Sequence, residues 1–362
     1  MTERLLILGG AGFVGSSLAI GLKSAYPAAD VLCLDNLRRR GSELNLSRFQ
    51  AHGIRFLHGD IRNPPDLDVD AMGEPHTVID CSAEAAVLAG LTSPQYVLQT
   101  NLLGTINVLE FCRRKKAKLL FLSSSRVYSI PALRKINLRE DATRFSLAPD
   151  QCQPDVSEAG IREGFSTLGF RSLYGTSKLA SELLIEEYRE AFGVSAIVNR
   201  CGLLTGPGQM ARIDQGVFGL WVAAHYFRTK LSYIGFGGQG KQVRDLLHVE
   251  DLLRLVRYEL EHFDELNGEV FNVGGGSKYS LSLLEATEFC RAITGNTIDV
   301  EKIEQQRPAD IPLLIMDCTK VMERTGWRPQ RTPKNTLEDI YEWIRRNEDV
   351  LRPILLNESQ SE

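Results

Sequence analysis

A tyrosine and a lysine four residues apart, Tyr174 and Lys178 in RSLYGTSKLASE, carry the most specific chemistry in the chain. On a helix that spacing puts both side chains on one face, one turn apart. A free phenol, with a pKa of about 10, is a poor base at neutral pH. An ammonium one turn away favours the phenolate. Such a tyrosine can take the proton of an alcohol while hydride leaves the same carbon. Ser124, in SSSRVYSI (123–130), follows the apolar run Leu119-Leu120-Phe121-Leu122. It therefore leaves the end of a strand, the edge where an open parallel sheet places its ligands. Its hydroxyl can hold a substrate oxygen against Tyr174, with Ser123 and Ser125 as the nearest competitors.

A hydride needs an acceptor, and a second pattern supplies a place for one. LILGGAGFVGSSL holds Gly9, Gly12 and Gly15 in GxxGxxG spacing, between a predicted strand and a predicted helix. Without a Cβ the turn is tight, and exposed amides plus the helix dipole favour a pyrophosphate. Phe13 and Val14, between the glycines, belong to the same contact set. Asp35 ends the second predicted strand 20 residues after Gly15, where an acid accepts from ribose hydroxyls. Its carboxylate repels a 2′-phosphate, so NAD is expected rather than NADP; the run Arg38-Arg39-Arg40 pulls the other way. Asn36 follows that acid, and GDIRN (59–63) puts Asp60 and Ile61 where an adenine edge lies. Ser82 and Ala83, after the fourth strand, complete the expected cofactor contacts, with Tyr174 and Lys178 at the nicotinamide end. The charge of an oxidised nicotinamide adds to that of Lys178 in favouring the phenolate.

These residues need a scaffold. Strands are predicted at Arg4–Leu8, Asp30–Leu34, Ile54–Leu57, Thr77–Asp80, Lys118–Leu122 and Val194–Asn199, and helices from Phe13 to about Lys23, Pro94–Arg114 and Ser172 to about Phe192. Strands alternating with helices imply crossovers and an α/β, doubly wound parallel sheet covered on both faces. After Gly202 the pattern loosens. Residues 203–245 are rich in glycine and aromatics, with helical segments near 249–263, 281–294 and 335–347 and strand-like pieces at 269–273 and 297–303. The expected organisation is a dinucleotide-binding domain (1–202), a smaller mixed α/β substrate lobe (203–350) and a polar tail (351–362). About 130–172 reads as an insertion in the first domain. It has prolines, charges and no clean period, and loops of that length tend to be lids or insertions.

Composition narrows the class. Hydrophobic residues make up 43% and charged residues 24% of 362, with a formal net charge of −4. That is ordinary for a globular protein and gives no polyanion signal, so no nucleic-acid partner is expected. The basic run CRRKKAK (112–118) sits at a helix end, where cations suit the dipole. The seven cysteines include no CxxC pair, which predicts reduced thiols and no metal site. MTERLLILGG has too short an apolar run for a signal peptide or membrane span. A cytoplasmic protein without membrane contact is the expectation.

Together, Gly9/Gly12/Gly15, Asp35, SSSRVY and YGTSK resemble the extended short-chain dehydrogenase/reductase family of nucleotide-sugar epimerases and dehydratases, over nearly the whole chain. The resemblance implies a Rossmann-type domain with tightly held NAD, the catalytic set Ser124, Tyr174 and Lys178, and a homodimer or homotetramer formed through helices of the first domain. GKQVRDLLHVEDL (240–252) and RPAD (307–310) resemble the family's C-terminal substrate motifs, whose arginines hold the nucleotide diphosphate. That role carries to Arg244 and Arg307 and fits the bidentate match of guanidinium to phosphate. Ser125, Arg126 and Asn199 are the other expected substrate contacts.

The family's 4,6-dehydratases place an Asp-Glu pair directly after the catalytic Ser or Thr. Here those positions hold Ser125 and Arg126. An arginine cannot deprotonate a sugar carbon, so elimination is disfavoured. What remains is hydride removal and return to the other face, an epimerisation. LDNLRRRGSELNL, HGDIRN, GQMARIDQGVFGLWVAAH and GGQGKQVRDLLHVEDL further resemble the CDP-paratose (CDP-tyvelose) 2-epimerases. That implies transient oxidation at C2 of a CDP-linked 6-deoxyhexose. Ser124 stands where threonine is usual, and Glu84 where the family commonly has glutamine. A UDP-sugar 4-epimerase and a non-catalytic dinucleotide sensor are the alternatives. The intact YxxxK and phosphate arginines count against the sensor.

Overall fold

The computed structural model describes residues 3–212 and 215–358. The chain forms two compact units. The first takes the chain up to Val127, then Ser172–Arg200 and Leu252–Phe271; the second takes Tyr128–Arg171, Cys201–Asp251 and the chain from Asn272 on.

In the first unit, β1 (Arg4–Leu8), β2 (Asp30–Asp35), β3 (Arg55–His58), β4 (Thr77–Asp80), β5 (Lys118–Ser124) and β6 (Ala196–Cys201) form a seven-stranded sheet with the strand Val270–Val273. The order is Val270–Val273, β6, β5, β4, β1, β2, β3. β1 pairs in parallel with β2 and β4, β2 with β3, and β4 with β5. Leu5–Leu8, Val78–Ile79 and Leu119–Leu122 are buried without alternation, as strands covered on both faces must be. The fold class expected from the alternating elements is the one observed. Order reverses between β1 and β4, the switch point where such sheets open a crevice.

Helices α1 (Phe13–Ala25), α2 (Gly104–Lys115) and α3 (Leu173–Phe192) supply the crossovers. Ser172 caps α3, its hydroxyl accepting the Gly175 N–H at 3.2 Å, and Gly193 ends it in the left-handed region. That cap places Tyr174 and Lys178 in the first two turns. Just before α2, Gln99–Leu103 forms a π-turn, a device that re-aims one side chain.

The second unit is built around four strands: β7 (Leu203–Thr205), β8 (Val243–His248), β9 (Ser280–Ser282) and β10 (Leu313–Leu314). β8 is parallel to β7 and β10 and antiparallel to β9. Its helices include α4 (Val217–Phe227), the first turn of α5 (Val249–Glu261, which from Leu252 on belongs to the first unit), α6 (Leu283–Thr294) and α7 (Pro333–Arg346). α4 lies in the stretch with no predicted period. Phe218–His225 are all buried, so no polar face marks it as a helix.

Two segments differ from expectation. Residues 128–171 group with the second unit rather than the first. They hold two hairpins, Leu138–Glu140 with Phe145–Leu147 and Val156–Ser157 with Gly160–Ile161. Ile161 bridges to Met316, and a Cβ on Gly160, at φ +133°, would lie 2.5 Å from the Ile315 carbonyl oxygen. The segment is therefore built in by backbone. The expected tail from 351 is instead helical, within Glu348–Glu358, because Leu351, Ile354 and Leu355 bury an apolar stripe; 359–362 lie outside the described residues. Among the described residues no helix is long and apolar enough to cross a membrane.

Candidate active site

The glycine turn sits at the carboxyl end of β1. Gly9 adopts φ +66°, and a Cβ there would meet the Ser82 backbone at 2.9 Å. A Cβ on Gly15 would lie 2.2 Å from the Gly9 carbonyl oxygen. The turn keeps its shape only without side chains at these points. Gly12 caps α1 and offers its first-turn amides no side-chain acceptor; Phe13 and Val14 follow, half-buried. Asp35 lies under the turn, accepting the Ala11 N–H at 3.1 Å and the Leu37 N–H at 2.8 Å. Burial pushes its carboxyl up, against those backbone donors. Asn36 donates to Asp60 at 2.9 Å, and Arg62 clasps the same carboxylate. Burial works to raise Asp60, but Arg62 and Asn36 outweigh it and hold it at about 2. Ile61 is buried beside it, Ser82 is half-buried and Ala83 is exposed. The structure thus places Gly9 to Gly15, Asp35, Asn36, Asp60, Ile61, Ser82 and Ala83 at or after the carboxyl ends of β1 to β4, and Tyr174 and Lys178 apart from them on α3. A narrow backbone turn, uncapped amides and an acid beyond them fit a dinucleotide's pyrophosphate and ribose.

Ser124 is the last residue of β5, and α3 packs across that strand end. Lys178 is 2% exposed; its ammonium donates to the Leu122 carbonyl at 2.9 Å and lies 4.4 Å from the Phe121 ring centre. That bond ties the Tyr174–Lys178 face of the helix to the strand that ends in Ser124. Tyr174 is 8% exposed. The three serines separate clearly. Ser123 donates to Glu182, which is ion-paired with Arg200 at 2.8 Å. Ser124 Oγ accepts the Arg126 N–H at 3.1 Å, and Ser125, also buried, begins the tight turn to Val127. Ser123 is thus committed to Glu182, whereas the Ser124 hydroxyl serves the turn that leaves β5.

Asn199, among the expected substrate contacts, lies in the core. It is fully buried and donates to Glu259 of α5 at 3.0 Å. Neighbouring strand residues point to opposite faces, so once Arg200 reaches Glu182 on α3, Asn199 must turn the other way. In contrast, Arg244 and the turn from Arg307 meet in the second unit. Arg244 donates to the Val243 and Ile311 carbonyls at 2.8 and 2.9 Å and pairs with Asp310 at 3.2 Å. The Asp310 N–H closes back on the Arg307 carbonyl at 3.3 Å. Ala309 within that turn has φ +62°, strained for an alanine.

Sequence reasoning missed Asn101 and Glu182. The π-turn aims the buried Asn101 so that it accepts the Glu84 N–H at 2.8 Å and donates to the Glu84 carbonyl at 3.0 Å and to Ser177 at 3.2 Å. It thereby fixes the segment after Ser82 to α3, while the Glu84 carboxylate accepts from Ala86 N–H at 3.2 Å. Glu182 continues the spacing of Tyr174 and Lys178 by four, a signal present in the sequence.

With this geometry in view, residues 5–274 match the model of the NAD dependent epimerase/dehydratase family. The chain is 30% identical over 347 residues to the CDP-paratose 2-epimerase of Salmonella typhi, covering 94% of this chain and 98% of that protein. It is 26% identical over 360 residues to a dTDP-glucose 4,6-dehydratase of Escherichia coli, covering 96% and 94%. Its fold is similar to that of UDP-glucose 4-epimerase from Bifidobacterium longum in complex with NAD+ and UDP, with a TM-score of 0.77, 24% identity, and 96% and 99% of the two chains covered.

Proposed function

This chain belongs to the NAD-dependent epimerase/dehydratase family, and we propose that it is a nucleotide-sugar epimerase inverting C2 of a CDP-linked 6-deoxyhexose. NAD, held by the glycine turn, Asp35, Asn36, Asp60, Ile61 and Ser82, supplies a reversible hydride acceptor. Tyr174 takes the proton of the sugar hydroxyl as its carbon is oxidised and returns it afterwards. Lys178, fixed on the Leu122 carbonyl, keeps a cation one turn away and favours the phenolate. Ser124 holds the reacting oxygen, and Arg244 and Arg307 hold the diphosphate.

The observation that carries epimerisation over dehydration is the pair Ser125-Arg126 directly after Ser124. A hydroxyl and a guanidinium in the turn leaving β5 offer no base for removing a carbon-bound proton. The likeness to the Salmonella typhi CDP-paratose 2-epimerase over nearly its full length supports position C2 and the cytidine. Incubation with CDP- and UDP-sugars in deuterated water, followed by NMR, tests both. Inversion at C2 without deuterium at carbon is expected. Deuterium uptake would refute hydride return, and inversion at C4 of a UDP-sugar would establish the 4-epimerase alternative.

The same reading makes the protein a cytoplasmic homodimer or homotetramer. Leu183 on α3 and Leu103 before α2, both exposed, support contact through these helices. A monomer by light scattering would overturn the oligomer.

A further inference from the structure

Resting on the role proposed for Arg244, we infer that the hairpin Leu138–Leu147 is a brace that sets this arginine for the diphosphate, and that Arg144 is its anchoring, positioning residue. The hairpin tip plugs into the start of α6. Ser282 caps that helix by accepting the Glu285 N–H at 3.0 Å, while the Glu285 carboxylate accepts the Ser282 N–H at 3.0 Å. Thr143 uses the capacity left over. The Ser282 hydroxyl donates to the Thr143 carbonyl at 2.8 Å, and the Thr143 hydroxyl donates to the other Glu285 oxygen at 2.8 Å. Arg144 spreads its fork over the Ser280 carbonyl and Glu285, each at 3.4 Å, and the Ser280 hydroxyl. On the hairpin's other side the Phe145 N–H donates to the Lys241 carbonyl at 3.0 Å. Lys241 pairs with Glu140 at 2.7 Å, and the Phe145 ring stands edge-on to Phe236 at 6.3 Å.

Both anchor points flank Arg244. Lys241 lies three residues before it on the approach to β8. Leu281, between the two anchored serines, is its antiparallel partner on β9. β9 is three residues long, and so short a strand holds its place poorly by ladder bonds alone. An arginine matches a diphosphate with two bonds only if its backbone is fixed, so slack in β9 is felt at the fork. A lone part-exposed ion pair at 3.4 Å would contribute little. Arg144 also satisfies the carbonyl and hydroxyl of Ser280, which ties the hairpin to the strand itself.

The test is a double-mutant cycle on nucleotide binding. CDP and UDP are titrated into NAD-loaded wild type, Arg144→Gln, Arg244→Ala and the double variant, using whichever nucleotide binds wild type more tightly. Arg144→Gln is expected to weaken binding by about fivefold, with Arg144→Lys intermediate and NAD content and melting profile near wild type. In the Arg244→Ala background the same change should cost nothing further. An Arg144→Gln variant that binds like wild type, or one whose loss persists in full without Arg244, overturns the brace alone. An Arg244→Ala variant that binds like wild type overturns the role of Arg244 and the brace together.

Discussion

Lys178 in the first unit and Arg244 in the second are both cations steered by main-chain carbonyls, yet the proposed function gives them different work, and they are held differently. Lys178 is almost inaccessible, between the Leu122 carbonyl and the Phe121 ring. Arg244 keeps 15% of its side chain exposed and shares its fork with Asp310. A group that tunes a proton transfer must be fixed and dry, because its field is then strong and constant. A group that receives a ligand must keep capacity to exchange partners. The supports differ accordingly. In the first unit they are strand ends, a helix face and a buried ion pair; in the second they are a strained turn and a hairpin.

The comparison breaks first if the two regions fail to separate kinetically. Tyr174→Phe is expected to lower kcat by about 10²–10⁴-fold, the range of a lost general acid–base, with NAD still bound by absorbance of the released cofactor. Near-normal turnover would remove Tyr174 from the chemistry. Arg244→Ala should do the reverse, costing about 2–4 kcal/mol of nucleotide-sugar binding in calorimetry and sparing NAD content.

The next test concerns rigidity. Glu182→Gln leaves Arg200 without its charged partner in a buried site and should destabilise the protein by about 3 kcal/mol, read from a shifted urea midpoint. An unchanged midpoint would show that this pair does not hold α3 on the sheet.

The remaining test is one of pH. Burial pushes Glu259 up to about 8 from its ordinary 4.5, against the donor from Asn199. The folded state therefore binds a proton that the unfolded state has already released. The stability this contributes is complete below about pH 4.5 and is lost as pH rises through about 8. Glu259→Gln, which cannot ionise, should melt with wild type at pH 5 and above it at pH 9. Parallel melting curves across that range would mean that Glu259 is not held neutral.

Much of the first unit was legible because its chemistry and its scaffold share local signals. The apolar runs end where Gly9, Asp35 and Ser124 begin, and Ser172 caps the helix that carries Tyr174. The second unit was harder to read. α4 is buried all round, so its helix has no polar face, and 128–171 has no period because its hairpins are held by backbone and polar contacts to distant strands.

The sequence by itself determined the glycine turn with its acid, the Tyr174–Lys178 spacing and the replacement of an acid–base pair by Ser125-Arg126. These are matters of residue type at short separation, which local backbone geometry converts directly into position. Tertiary structure alone decided that Ser123 serves Glu182 while Ser124 accepts from the turn after β5, that Asn199 turns into the core, and that residues far along the chain grip Arg144. Those outcomes depend on which face of a strand meets which helix, and on polar groups finding partners once water is excluded.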